Sequence, residues 1–226
     1  MNTIPKISII TPVYNAEENI ESCMLSVASQ NYKNVEHLII DGLSTDNTLD
    51  IVKKYTDMYT HIRWISEKDN GIYDAMNKGI DLVQGEWIYF LGSDDIFYDD
   101  NVLEDLFIKE DLINYDLIYG NVKFKISGKI YDGEFSPSKL IEINICHQAI
   151  FQNKKLYNIF GKYEAKYKGV ADWVFNMKWF NSNKINYKFI DRIVAVYNED
   201  GYSFNNPDNE FIKDREKIIK QEFRIS

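Results

Sequence analysis

From Ile7 the chain alternates short apolar runs with longer amphipathic ones. Ile7-Ser8-Ile9-Ile10-Thr11 is a β-branched run closed by Pro12, which predicts a buried strand. Ile20, Met24, Leu25 and Val27 follow at roughly helical spacing and predict an amphipathic helix. The pair repeats twice. Val35 to Ile40 is a second strand, and Ser44-Thr45-Asp46 leads into a helix carrying Leu49, Ile51, Val52 and Tyr55; Ile62 to Ile65 is a third strand, and Gly71 to Leu82 a third helix. Glu86 to Phe90 is a fourth strand. Strand and helix in this order imply a mainly parallel, doubly wound α/β sheet with right-handed crossovers, whose ligand crevice lies at the strand C-termini.

The second half is less regular. Ile118 to Tyr131 alternates apolar and polar residues around Ser127-Gly128-Lys129, which predicts a hairpin or mixed-sheet extension placed as a flap over a ligand. Tyr187 to Ile190 and Ile193 to Tyr197 predict two short strands, and Glu199-Asp200-Gly201-Tyr202-Ser203 a turn. Pro207 to Phe223 predicts a helix with Phe211, Ile212, Ile218, Ile219 and Phe223 near one face. Its lysines and arginines suit an anionic membrane surface, but the interleaved Asp214, Glu216 and Glu222 favour packing against the core or a second copy of the chain.

Composition narrows the function. A chain of 226 residues, 45% hydrophobic, can bury a sizeable core within one domain. A net charge of −9 argues against a general nucleic-acid binder. Cys23 and Cys146 are far apart and outside any metal-ligand spacing, so neither a disulfide framework nor a zinc site is indicated. No signal-peptide or membrane-spanning run is present, and the expected location is cytoplasmic, soluble or peripheral.

The candidate chemistry sits in four polar loops that end the first four strands: Thr11 to Asn15, Asp41 to Asp46, Lys68 to Gly71, and Ser93-Asp94-Asp95. Four such loops on one sheet edge point to a ligand site more than to ordinary turns. Tyr14 offers a flat face for a base, and Asp41 can accept from base or ribose donors. Adjacent carboxylates straight after an apolar strand suit Mg²⁺ or Mn²⁺ shared with a diphosphate, and Asp95 can hold such a cation. No glycine-rich phosphate loop occurs, so the cation takes its place.

In order and spacing, Thr11-Pro12-Val13-Tyr14-Asn15, Asp41-Gly42-Leu43-Ser44-Thr45-Asp46-Asn47-Thr48 and Ser93-Asp94-Asp95 resemble the signatures of glycosyltransferase family 2. Asp69 to Gly79 is similar to a branch containing colanic-acid and capsule glycosyltransferases. The resemblance implies the GT-A fold, a Rossmann-like mostly parallel mixed sheet flanked by helices, with inverting transfer from a nucleotide-diphosphate-sugar to a glycan or lipid-linked acceptor. It implies one domain over 1–226: a nucleotide-sugar and metal half over 1–99, an acceptor side over 100–206, and a C-terminal helix over 207–226. Thr11, Pro12, Tyr14 and Asn15 would line the nucleoside pocket, with Asp41 near the base or ribose. Ser93 and Asp94 would face the ribose or sugar, and Asp95 would ligate Mn²⁺ or Mg²⁺. Asp69, Asn77 and Lys78 would lie near the diphosphate or donor sugar.

Asp172 aligns with the acidic residue that acts as the family's general base, although spacing alone makes it the N-cap of the apolar helix that follows. As a base it needs a raised pKa, for which Val170, Trp173 and Phe175 are the expected apolar neighbours. His147-Gln148 is expected on the acceptor side or near the metal. The chain departs from the family pattern at Gly42, where many members carry a second acid, and at Met76, where many carry arginine. Uridine is the favoured nucleoside, with guanosine or thymidine left open by Gly42. Two other readings are a sugar-1-phosphate nucleotidyltransferase, whose glycine-rich signature is absent, and a non-catalytic nucleotide-sugar-binding homologue.

Overall fold

Four parallel strands carry the first half of the chain. β1 (Ile7–Val13) lies between β2 (Val35–Asp41) and β4 (Trp87–Phe90), with β3 (Ile62–Ser66) outside β2. This computed structural model describes residues 4–112, 114–199 and 208–223. The strands are joined by α1 (Ile20–Ala28), α2 (Thr48–Met58) and α3 (Ile72–Leu82), as the hydrophobic periods predict. Every residue of β1 and β4 is buried, which explains why they read as continuous apolar runs instead of alternating ones. α3 packs closely on β1: a Cβ on Gly79 would lie 2.6 Å from the Ile10 side chain.

The sheet continues beyond β4 with mixed polarity. Among the described residues it has nine strands in the order β3-β2-β1-β4-β8-β6-β9-β5, with β7 paired to β6. These are β5 (Ile96–Phe97), β6 (Leu117–Phe124), β7 (Ile130–Tyr131), β8 (Ile150–Asn153) and β9 (Tyr187–Tyr197). β8 runs antiparallel to β4 and β6, while β6 and β9 are parallel. α4 (Val102–Phe107), α5 (Pro137–Glu142), α6 (Leu156–Phe160), α7 (Ala171–Phe180) and α8 (Asn209–Phe223) complete the chain.

Four sequence expectations change. Pro12 lies inside β1, opposite Ile40, and does not end it. β4 stops opposite Ile10, so Pro12 has a strand on one side only and its missing N–H is tolerated there. The expected hairpin and mixed-sheet extension over 118–131 form as β6 and β7, but β6 is an interior strand flanked by β8 and β9 and not a flap. The two short strands expected over 187–197 are one, with a register shift against β6. α7 is capped by Val170, which puts Asp172 inside its first turn. The turn expected over 199–203 lies largely outside the described residues.

At the N-terminal ends of the parallel strands a buried carboxylate ties four segments together. Glu36 on β2 is 3% exposed. It accepts from Ser8 Oγ on β1 at 2.5 Å, Arg63 on β3 at 3.0 Å, and the Gln84 and Gly85 amides ahead of β4. Burial pushes its carboxyl up, but Ser8, the two amides and Lys6 outweigh it and hold it below the ordinary 4.5.

α8 docks on α7 through Phe211 and Phe223, both buried, with the Phe211 ring 5.0 Å from that of Trp173. Its apolar face is thus largely taken up by the protein's own core. No helix among the described residues is long and apolar enough to cross a membrane.

Candidate active site

The loops that leave the C-terminal ends of β1, β3 and β4 line one cleft of about 590 Å³. From the first half it takes Pro12, Tyr14, Asn15, Asn19, Asp69, Gly71, Ser93, Asp94 and Asp95; from the second, His147, Gln148, Lys168, Tyr197 and Asn198. The position follows from topology, because parallel strands deliver their outgoing loops to one edge. Gly71 begins α3 with φ of 116°, a conformation open to glycine at little cost.

Tyr14 is 62% exposed and presents its ring to the cleft. Asn15 lines the cleft in a left-handed conformation with φ of 48°, but its side chain is committed: Oδ1 accepts from the Thr45 amide at 2.8 Å. It therefore shapes the β1 loop against the β2 loop. Asp69 accepts from the Gly71 amide at 2.9 Å through Oδ1.

Asp94 and Asp95 form the floor. Asp95 is 1% exposed, with Oδ2 accepting from Gln148 Nε2 at 2.5 Å and Oδ1 from the Asn198 amide at 2.8 Å. Asn198 Nδ2 donates to Asp94 Oδ2 at 3.0 Å. Burial, with the neighbouring Asp94 charge, pushes the Asp95 carboxyl up to about 7. Two crowded carboxylates with hard oxygen donors suit a divalent cation. Among the described residues no cluster of three or more His, Cys, Asp or Glu is arranged to hold a metal.

Asp172 stands behind the cleft-lining His147. It is 6% exposed, with Tyr73 donating to Oδ1 at 2.5 Å and Asn144 Nδ2 to Oδ2 at 2.7 Å. His147 Nδ1 is 3.7 Å from Oδ2, and His147 is the member of this group that lines the cleft. The expected rise in the Asp172 pKa is not found. Burial pushes the carboxyl up, but His147, Tyr73 and Asn144 together pull it below its ordinary 3.8. His147 and Gln148 are consecutive, so one short turn touches both the Asp172 and the Asp95 carboxylates.

Five expected residues do not line the cleft. Thr11 is fully buried and bonds His37 Nε2 at 2.9 Å. Asp41 is fully buried too, and its oxygens accept from the Leu43 and Ser44 amides and the Ser44 and Ser66 hydroxyls. It holds the 41–44 loop in shape. Asn77 exchanges hydrogen bonds with the backbone of Tyr163. Lys78 is paired with Glu67 and Asp74 and donates to the Lys68 carbonyl. Asp172 is the fifth, for the reason given above.

Sequence reasoning missed Asn19, Lys168, Tyr197 and Asn198. Lys168 is the one lysine or arginine among the described cleft-lining residues, and its Nζ donates to the Asn70 carbonyl at 3.1 Å. It has no carboxylate within salt-bridge distance among the described residues. The available signal was its position four residues before Asp172 in a glycine-containing segment. Met76 is 1% exposed in the core and cannot serve as a cleft group.

Comparison with known proteins places the chain. The model of the family described as glycosyl transferase family 2 matches residues 8–181. A PGL/p-HBAD biosynthesis glycosyltransferase of Mycobacterium bovis is 37% identical over 214 residues, covering 92% of this chain and 83% of the relative. TarS 1-349 of S. aureus, solved in complex with UDP-GlcNAc, superposes with a TM-score of 0.79 at 22% identity, over 96% of this chain and 66% of that one. The mannosyltransferase PcManGT of Pyrobaculum calidifontis, in complex with GDP-Man and Mn²⁺, gives a TM-score of 0.68 at 16% identity, over 87% of this chain and 57% of that one. These two likenesses show the GT-A fold, and the chain spans about two thirds or less of each solved chain. A family match across most of the length and a relative similar almost end to end lead to one conclusion: this chain belongs to glycosyl transferase family 2 and is a glycosyltransferase.

Proposed function

We propose that the protein transfers a sugar, with inversion, from a nucleotide-diphosphate-sugar to a hydroxyl of a glycan or lipid-linked acceptor, and that UDP is the favoured nucleotide. The observation that carries this reading is the composition of the cleft. The cleft brings together an aromatic face, a carboxylate with one oxygen unbonded among the described residues, two adjacent carboxylates, a lone lysine, and His147 backed by Asp172. That set matches in turn a nucleoside, a diphosphate with its cation, and a hydroxyl to be deprotonated. Crystals of TarS with UDP and with UDP-GlcNAc, and the biosynthetic name of the mycobacterial relative, agree with it.

Each group has a physical task. Tyr14 stacks on the base, for which its exposed ring is available. Asp94 and Asp95 would hold Mg²⁺ or Mn²⁺, which when bound takes up charge on the leaving diphosphate. Lys168 offsets diphosphate charge in a cleft whose other charged groups are mostly acidic. Asp172 accepts the proton of the acceptor hydroxyl on Oδ2 once the incoming acceptor moves His147 aside, because His147 stands between Asp172 and the cleft. Tyr73 and Asn144 fix its plane, and its depressed pKa keeps it ionised at neutral pH.

A second reading of the base follows from His147 alone facing the cleft. In it His147 takes the proton on Nε2 while Nδ1–H points at Asp172 Oδ2, and Asp172 orients the ring. His147→Gln separates the two, since it removes turnover in the second reading and leaves a substantial part in the first.

The test of the function is calorimetric titration of metal-stripped protein with UDP, GDP and dTDP, each with and without Mn²⁺. Metal-dependent binding of one nucleotide supports the reading. Failure to bind any of them under either condition overturns it.

A further inference from the structure

We propose that Asp69, not Asp41, is the carboxylate that reads the nucleoside, and that residue 42 is glycine because the Asp69 carboxylate occupies its side-chain space. The proposal rests on the donor reading above. Asp41 has no capacity left for a ligand: it is 0% exposed, and two backbone amides and two hydroxyls already donate to it. Asp69 is in the opposite condition. It lines the cleft, Oδ1 takes the Gly71 amide, and no donor among the described residues is bonded to Oδ2.

The contact with Gly42 is specific. A Cβ built on Gly42 would lie 2.5 Å from Asp69 Oδ2 and 3.3 Å from its Cγ. Gly42 is not among the glycines with positive φ, so its backbone does not demand glycine. What glycine leaves there is space, and the group that fills it is a carboxylate, which a methyl group would push aside. The Gly42 amide also donates to the Val13 carbonyl at 2.9 Å, which sets this point one residue from Tyr14. Asp69 therefore reaches from the β3 loop into the gap between the β1 and β2 loops, beside the aromatic face.

A carboxylate there accepts hydrogen bonds and donates none. It suits bases with a ring N–H, such as uracil, thymine or guanine, and ribose hydroxyls. Cytosine and adenine present a ring-nitrogen lone pair on the corresponding edge, which a carboxylate repels. The ligand class is thus a nucleoside diphosphate whose base carries an imide or lactam N–H.

A double-mutant cycle tests this, read as UDP and CDP binding by calorimetry in Mn²⁺, on the whole chain. Asp69→Ala should weaken UDP binding at least about tenfold, the size expected for a hydrogen bond to a charged group, and narrow the preference over CDP. Gly42→Ala, which adds one methyl group, should cause a loss of similar size by displacing the Asp69 carboxylate. In the Asp69→Ala background the same methyl should cost nothing further. Asp41→Asn should lower the melting temperature where Asp69→Ala does not, separating the carboxylate that holds the loop from the one that meets the ligand. Wild-type-like UDP affinity in Asp69→Ala, or losses in the double variant that simply multiply, would overturn the proposal. Wild-type protein that binds no nucleotide would overturn the donor reading with it, an outcome distinguishable because it appears before any substitution is made.

Discussion

The two ends of the parallel strands are made of similar residues put to opposite use. At the N-terminal edge, Ser8, Glu36, Arg63 and the Gln84 and Gly85 amides satisfy one another, and Glu36 is sealed from water. At the C-terminal edge, Tyr14, Asp69 and Lys168 line the cleft with bonding or stacking capacity unused. The same contrast recurs within the cleft edge itself, between the saturated Asp41 and Asp69. For Asp41 and Asp69 the assignment is thus decided by what remains after the internal partners are counted, and not by residue type.

The comparison can be broken by substitutions that should affect one property and spare the other. The largest expected effect is on turnover. Asp172→Asn should lower kcat by about 10²–10⁴-fold, the range for loss of a general base, with UDP binding and melting temperature nearly unchanged. Steady-state rates beside calorimetry check it, and full turnover would remove Asp172 from the reaction.

Next comes the anchor. Glu36→Gln should destabilise the fold by about 2–3 kcal/mol, since it leaves Arg63 and two amides poorly matched, and should leave the donor KM alone. The pH sign follows from the depressed carboxyl. The stabilisation from Glu36 is present above its unfolded pKa, ordinarily 4.5, and is lost as pH falls through the lower folded value. Wild type should therefore lose melting temperature on acidification below about 4.5 more steeply than Glu36→Gln. Parallel slopes would mean that Glu36 is not ionised in the fold.

Tyr14→Ala should weaken nucleoside diphosphate binding by about 1–2 kcal/mol through lost stacking, without a change in stability, because the ring is exposed. The smallest and most selective effect is expected for Lys168→Met. It should reduce UDP affinity about tenfold while UMP affinity falls less, and Lys168→Arg should restore most of the difference. An equal loss for the two nucleotides would place Lys168 away from the terminal phosphate.

The parallel half and its loops were legible because each element has a local signal. Apolar runs mark β1 to β4, amphipathic spacing marks the helices between them, and polar residues follow each strand. Side-chain direction was not legible. Asp41 and Asp69 look alike in sequence, and one of the donors that saturate the first is Ser66, 25 residues away. Asn77 and Lys78 belong to the helix whose first turn reaches the cleft, yet they turn to Tyr163 and to Glu67. Lys168 and Asn198 come to the cleft from the loop before α7 and from the end of β9, positions set by contacts across about a hundred residues. The hairpin and mixed-sheet extension over 118–131 were legible as β6 and β7, whereas the interior position of β6 was not, because its partners β8 and β9 are assembled from distant segments.

The docking of α8 has a consequence for the order in which the molecule is made. The segment holding Lys168 and Asp172 is fastened from the C-terminal side: Asp208 accepts from the Gly169 amide, Asp214 from Lys166 and Tyr167, and Phe211 covers Trp173. Chains grow from the N-terminus at roughly 5–20 residues per second, so the parallel strands emerge well before these clasps are synthesised. A nascent chain with residues 6–99 outside the ribosome holds the surfaces assigned to the nucleoside and the cation, but lacks both the lysine assigned to the diphosphate and the groups assigned to the proton. Arrested or truncated chains ending before residue 208 should retain donor without consuming it, so that the segment 208–223 confers the capacity to react.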